Sequence, residues 1–173
     1  ERLFLAGANL APLGPRPEHA DADGVERALD AAFDLGLHAL RVQGHVGDRH
    51  LYRRADERGL LLLQDFPLQW GHVRAVRGQA VEQARAAVDA LGHHPSIAMW
   101  LAHGRPDGSD PRAEHRRWTT RARSIGAQQL PSWNRTVLDR WVKRSLERAD
   151  GTREVIAHSG VVPHLPQLDG TDS

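Results

Sequence analysis

Side chains able to do chemistry recur at one kind of place in this sequence, just after short apolar runs. Asn9 follows a run over Arg2–Ala8. Arg41 lies near the end of Ala39–Val42, with Gln43 and His45 next. Gln64 and Asp65 close Leu60–Leu63, while Trp100 and His103 sit at the end of Ile97–Leu101. His158 and Ser159 follow Glu154–Ala157. An arginine and an aspartate so placed can grip a polar ligand, or pair with each other to satisfy a buried charge. Asp65 reads as a ligand contact or as the group that orients Arg41, not as the reacting group. The imidazoles of His45 and His103 offer polar contacts. Trp100 offers a flat apolar face for stacking, or a large side chain for the core. The adjacent His93 and His94 do not suit a metal, because neighbours rarely converge on one ion and no H-E-x-x-H spacing exists. They read as anchors of a turn, so neither a metal nor a cofactor is expected.

These residues need elements to hold them. Between the runs lie helical patterns. Val25, Ala28, Leu29, Ala32 and Phe33 fall on one helical face, with Asp23 as candidate cap and Gly36 as terminator. Asp48 to Arg58 turns Leu51, Tyr52 and Ala55 inward before Gly59. Gly78 to Leu91 does the same with Val81, Ala84, Val88 and Leu91. A later helix capped by Ser132 aligns Leu138, Trp141, Val142, Ser145 and Leu146, and ends at Asp150 and Gly151. Residues 107–130 read as an arginine-rich excursion with a short helix. Leu60–Leu63 is apolar without alternation, the mark of a strand buried on both faces of a parallel sheet. The order β-α-β-α-β-α-β-excursion-α-β predicts parallel strands joined by right-handed crossovers.

Composition narrows the function classes. The chain has 173 residues, and its formal charge of +1 gives no global pull toward nucleic acid or a membrane. The arginines at 112, 116, 117, 121 and 123 lack interleaved aromatics and include Glu114 among them, so they read as a solvated surface. No apolar run approaches the roughly 18 residues of a membrane span. The absence of cysteine excludes disulfides and thiolate metal sites without identifying a compartment. Lys143 is the sole lysine, a bias read as genomic composition.

Five blocks carry a resemblance. His93–Trp100 (HHPSIAMW) resembles the NHPSI-x-x-W-x-x-x-NE signature of glycoside hydrolase family 2, the β-mannosidase-like branch in particular. LAGANLAPLG is similar to the family's G-x-N-x-x-P entry strand. HALRVQGH is similar to its N-x-x-R-x-W-G-G strand, with Arg41 kept and Gln43 in place of Trp. RRADERGLLLLQDFPLQW is similar to its helix and QDF strand, and WNRTVLDRWVKRSLERADGTREVIAHSG to the helix and strand that follow. The resemblance implies a (β/α)8 barrel. Residues 1–173 would form one domain, its N-terminal portion, with about five parallel strands of the eight in a closed barrel.

The implied activity is that of a retaining β-glycosidase acting on O-glycosidic bonds. Its implied partners are a carbohydrate substrate, the remaining barrel strands and flanking β-sandwich domains, with no nucleic acid and no membrane. Barrel enzymes work at the C-terminal ends of their strands. Asn9, Arg41, His45, Asp65, Trp100 and His103 are therefore the expected substrate contacts, Trp100 as a floor for the apolar face of a sugar. The signature departs where it matters most, because Arg105 occupies the slot of the acid/base glutamate. Asp107 is the nearest substitute, and no second carboxyl group for a nucleophile is visible. The chain alone is thus expected to be inactive. A non-catalytic carbohydrate-binding or scaffold relative is the alternative. Five strands without closure would also leave sheet edges open and the segment prone to aggregation.

Overall fold

A computed structural model describes residues 4–14, 21–68, 74–102 and 137–157. Among them run five strands: β1 (Gly7–Leu10), β2 (Ala39–Val42), β3 (Leu61–Asp65), β4 (Ile97–Leu101) and β5 (Glu154–Ile156). Four α-helices lie between: α1 (Ala22–Asp34), α2 (Arg49–Arg58), α3 (Arg77–Leu91) and α4 (Asp139–Ala149). The strands form one sheet in the order β1-β2-β3-β4-β5, every neighbouring pair parallel. This is the sequential α/β arrangement of an open part of a (β/α) barrel. The excursion at 107–130 and the residues from 158 on lie outside the described set. No helix among the described residues is long and apolar enough to cross a membrane.

Alternation sorts the strand residues into two layers. Leu40, Val42, Leu62, Trp100 and Val155 are buried beneath the helices, where Val25, Leu29, Leu51, Ala55, Ala84, Val88, Leu138, Val142 and Leu146 complete the core. Gln64 also faces the helices. Its Oε1 accepts from the Tyr52 hydroxyl at 2.8 Å, and its Nε2 donates to the carbonyls of His45 and Asp65. The Tyr52 oxygen in turn accepts from Gly47 N–H at 2.9 Å. Every polar atom of this buried chain is thereby used.

Several boundaries differ from the sequence reading. The first strand starts at Gly7, not Arg2, and Phe4 is 92% exposed. A Cβ on Gly7 would lie 2.9 Å from the Ala39 carbonyl oxygen, so glycine lets the two strands approach and pairing begins there. The third strand extends through Gln64 and Asp65, because both residues pair with β4, at Trp100 and Leu101. Helix α1 starts at Ala22, so Asp23 is a first-turn acid favoured by the helix dipole instead of a cap. Trp141 is 44% exposed at the edge of the α4 apolar stripe, with the Arg77 guanidinium 5.1 Å from its ring centre. Gly59 ends α2 as expected, at φ 69°, while the helix starts at Arg49 and Asp48, read as its first residue, caps it by accepting from His50 N–H. The Ser132 cap lies outside the described residues.

Candidate functional site

The inner face of the sheet lies away from the helices. Leu5, Gly7, Asn9, Ala39, Arg41 and Leu63 line a hollow of about 340 Å³ on it. The register explains the grouping: Gly7 pairs with Ala39, Asn9 with Arg41, and Arg41 with Leu63. Asp65 follows Leu63 by two residues and shares its face.

Arg41 and Asp65 form a two-pronged pair. Arg41 Nε donates to Asp65 Oδ1 at 2.8 Å and Nη2 donates to Oδ2 at 2.7 Å. Gly44 N–H gives Oδ2 a third hydrogen bond at 3.2 Å. The Asp65 side chain is fully buried, whereas that of Arg41 stays 18% accessible. Such a fork fixes the guanidinium plane. Of the two readings open for Arg41, the structure makes the paired one and leaves its accessible part beside Asn9 at the hollow. Asp65 orients Arg41, and its carboxylate accepts from three N–H donors, which suits positioning rather than proton transfer.

Other expected site residues are placed differently. His45 is buried in the loop after β2, with Nδ1 3.0 Å from the Gln43 carbonyl oxygen. Trp100 is 1% exposed and lies beside Gln64 in register, on the helix side of the sheet. Its indole N–H donates to Asp150 Oδ2 at 2.8 Å. Packing, the second role open to it, is the one its position serves, since strand alternation turns position 100 away from the inner face. His103, Arg105, Asp107, His158 and Ser159 lie outside the described residues. Asp65 is the one carboxylate at the C-terminal strand ends among the described residues.

The sequence reading treated Asp150 merely as a helix terminator. Its carboxylate gathers the Trp100 indole, the Thr152 N–H and hydroxyl, and Arg153 Nη1 at 2.6 Å. Arg153 also donates to the carbonyls of Ile97 and His94, tying the start of β4 to the start of β5. Burial alone would push the Asp150 carboxyl up, but the hydrogen bonds from Thr152, Trp100 and Arg153 outweigh it. They hold the group well below the usual carboxylate range. The pattern D-x-T, with a side chain turning to the N–H two residues on, was the signal available in the sequence.

His94 does anchor its turn. Nδ1 lies 2.6 Å from Asp56 Oδ2, and Ser96 N–H donates to Asp56 Oδ1 at 2.9 Å. Burial raises the Asp56 carboxyl, and the hydrogen bonds from Ser96 and His94 overcome that and leave it lowered.

No protein-family model matches the chain. Over 107 residues it is 28% identical to a β-mannosidase of Rattus norvegicus and 29% identical to a β-mannosidase of Capra hircus. The aligned part is 57% of this chain but only 12% of either relative, so the chain spans a small fraction of their length. Among solved structures it is similar to a β-D-mannosidase from Dictyoglomus thermophilum, with a TM-score of 0.64 at 20% identity. It is also similar to β-glucuronidase 3 of Bacteroides uniformis, with a TM-score of 0.62 at 17% identity. Each match covers 90% of this chain and 18% of the other, and at these identities it establishes the shared fold.

Proposed function

We propose that this chain is the N-terminal portion of the catalytic barrel of a β-glycosidase of the β-mannosidase kind, acting on O-glycosidic bonds by the retaining route. The observation that carries the reading is the Arg41–Asp65 fork at the C-terminal ends of β2 and β3, in a chain part of which is similar to two β-mannosidases. Asn9 and Arg41 meet sugar hydroxyls from the hollow. Asp65 holds Arg41 in place, His45 shapes the loop after β2, and His103 is a further polar contact. Trp100 supports the site from the core.

Retaining hydrolysis needs an acid/base and a nucleophile, two carboxyl groups roughly 5–5.5 Å apart. Asp65 is committed to Arg41, so both must come from outside the described strand ends. Protonating a leaving oxygen takes a carboxylic acid with a pKa near the working pH. Arg105, in the slot where the family signature has its acid/base glutamate, stays protonated and cannot deliver that proton. This favours a second reading as well, a carbohydrate-binding relative that has lost the acid.

The test is kinetic. Residues 1–173 alone turn over no glycoside. Joined to strands that close the barrel and supply a nucleophile, the chain cleaves activated aryl β-mannosides, whose leaving groups need little protonation, far better than alkyl ones. Arg105→Glu then raises alkyl cleavage by about 10²-fold or more, the usual worth of general acid catalysis. Efficient alkyl cleavage without that change, and unaffected by Asp107→Ala, would place the acid elsewhere. Sugar binding with no turnover in any variant supports the non-catalytic reading.

A further inference from the structure

At the C-terminal end of β2 the ladder with β1 runs one residue past the strand, since Gln43 N–H donates to the Leu10 carbonyl at 3.1 Å. The Gln43 carbonyl in turn accepts from His45 Nδ1 at 3.0 Å. With its backbone held on both sides, Gln43 keeps the alternation of β2. It lies two residues beyond Arg41 on the same inner face, while Val42 between them is buried toward the helices. Val42 pairs with Gln64, so Gln43 stands next to Asp65, whose Oδ2 already accepts from Gly44 N–H. Gln43 is half-buried, and its carboxamide has no hydrogen-bond partner among the described residues. Ser96 Oγ is the one buried side-chain polar atom among them without a partner, so the Gln43 amide remains accessible at the strand ends. Asn9, exposed on β1 beside Arg41, is likewise unpartnered among the described residues. Strand spacing and rise set the two residues about 8 Å apart, diagonally across the face with Arg41 at the corner between them.

We infer that Gln43 is a specificity-determining residue of this site, its carboxamide taking a pair of neighbouring hydroxyl groups of a neutral pyranoside beside the contact made by Asn9. The inference rests on the glycosidase reading and adds a contact which that reading does not use. A primary carboxamide carries a donor and an acceptor side by side. A hydroxyl also donates and accepts, so one amide can meet two adjacent hydroxyls at once. A sugar bearing a carboxylate fits less well. Asp65 already matches the Arg41 charge, and a second carboxylate beside Asp65 meets like-charge repulsion. The strand to which β2 is similar has Trp at position 43, a flat face for stacking, whereas Gln43 offers hydrogen bonds to the edge of a sugar ring.

Methyl β-D-mannopyranoside is the probe, titrated into the full chain and followed by saturation transfer to its own ring protons. That readout works on dilute protein, where association through sheet edges is low. Saturable binding at or below about 10 mM is expected. Gln43→Met keeps the length and bulk of the side chain without its hydrogen bonds, and weakens binding about fivefold or more, the worth of one such bond. Gln43→Ala falls by at least as much, and thermal melts of both variants match wild type. Gln83→Met, at an exposed position on α3, is the control and keeps wild-type affinity. The corresponding methyl mannuronide, which carries a carboxylate, binds at least about fivefold more weakly than the neutral sugar. Wild-type affinity in both Gln43 variants, alongside weakened binding in Asn9→Ala, overturns the inference and leaves the site reading standing. Equal or tighter binding of the mannuronide overturns it as well. No saturation of the wild-type chain up to about 100 mM overturns both the inference and the site reading.

Discussion

Asp65 accepts three N–H groups while fully buried, and two of them come from Arg41. Removing one partner of such a pair strands the other charge, whereas replacing both with apolar groups removes the desolvation cost altogether. Arg41→Met should therefore destabilise the fold by about 3 kcal/mol, the lower end for a broken buried pair, because Arg41 keeps some contact with water. The double variant Arg41→Met/Asp65→Leu should recover most of that loss. Denaturant midpoints for the two variants check it, and an additive double variant would mean that the pair does not act as a unit. Asp150 makes a different prediction. Its carboxyl is held below its ordinary value by the hydrogen bonds that outweigh burial. A depressed folded value means stability that is present above the unfolded pKa and lost as pH falls through the folded one. Wild type should thus lose stability steeply below about pH 4. Asp150→Asn, less stable at neutral pH, should show a flatter slope in that range in pH-dependent unfolding curves.

At the scale of elements, the helices owe their ends to backbone geometry and their faces to spacing. Gly59 closes α2 at φ 69°, where a side chain would strain the backbone by about 1–2 kcal/mol. Gly78 lies exposed inside α3, and a Cβ there meets nothing within 4 Å. The same substitution should act in opposite directions at the two sites. Gly59→Ala should lower the thermal midpoint, and Gly78→Ala should raise it through a gain of about 0.5–1 kcal/mol from reduced freedom of the unfolded chain. Calorimetry on the pair is the check. A Gly59→Ala variant as stable as wild type would show that the α2 terminus relaxes into another turn.

For the whole molecule the decisive feature is a parallel sheet whose order ends at β1 and β5. Its inner face carries a hollow lined by Leu5, Ala39 and Leu63. Parallel sheets are stable when both faces are covered, and terminal strands expose a template for pairing. Residues 1–173 expressed alone should self-associate, seen as a sedimentation coefficient that rises with concentration. Supplying the complementary barrel strands should suppress it. A monomer at all concentrations with a cooperative thermal transition would mean that residues outside the described set already cover the edges.

The strands β2 and β4 and the helix α2 were legible to the residue or nearly so, because short apolar runs, helical spacing and a terminal glycine are local signals. The parallel order was legible too, since alternation of strand and helix leaves few topologies. The list of strand-end residues was also local in origin, and that is why it was incomplete as a site. Whether position 100 faces the hollow or the helices depends on register with β3, and the Arg41–Asp65 fork depends on two strands 24 residues apart lying side by side. Asp150 and Arg153 reach Trp100 and the carbonyls of Ile97 and His94 across 50 to 59 residues of chain, beyond any periodicity. Sequence determined which segments become strands and helices, because hydrophobic spacing acts within a few residues. Tertiary structure alone decided which side chains meet, because a strand's two faces are distinguished only by what its neighbours bring to them.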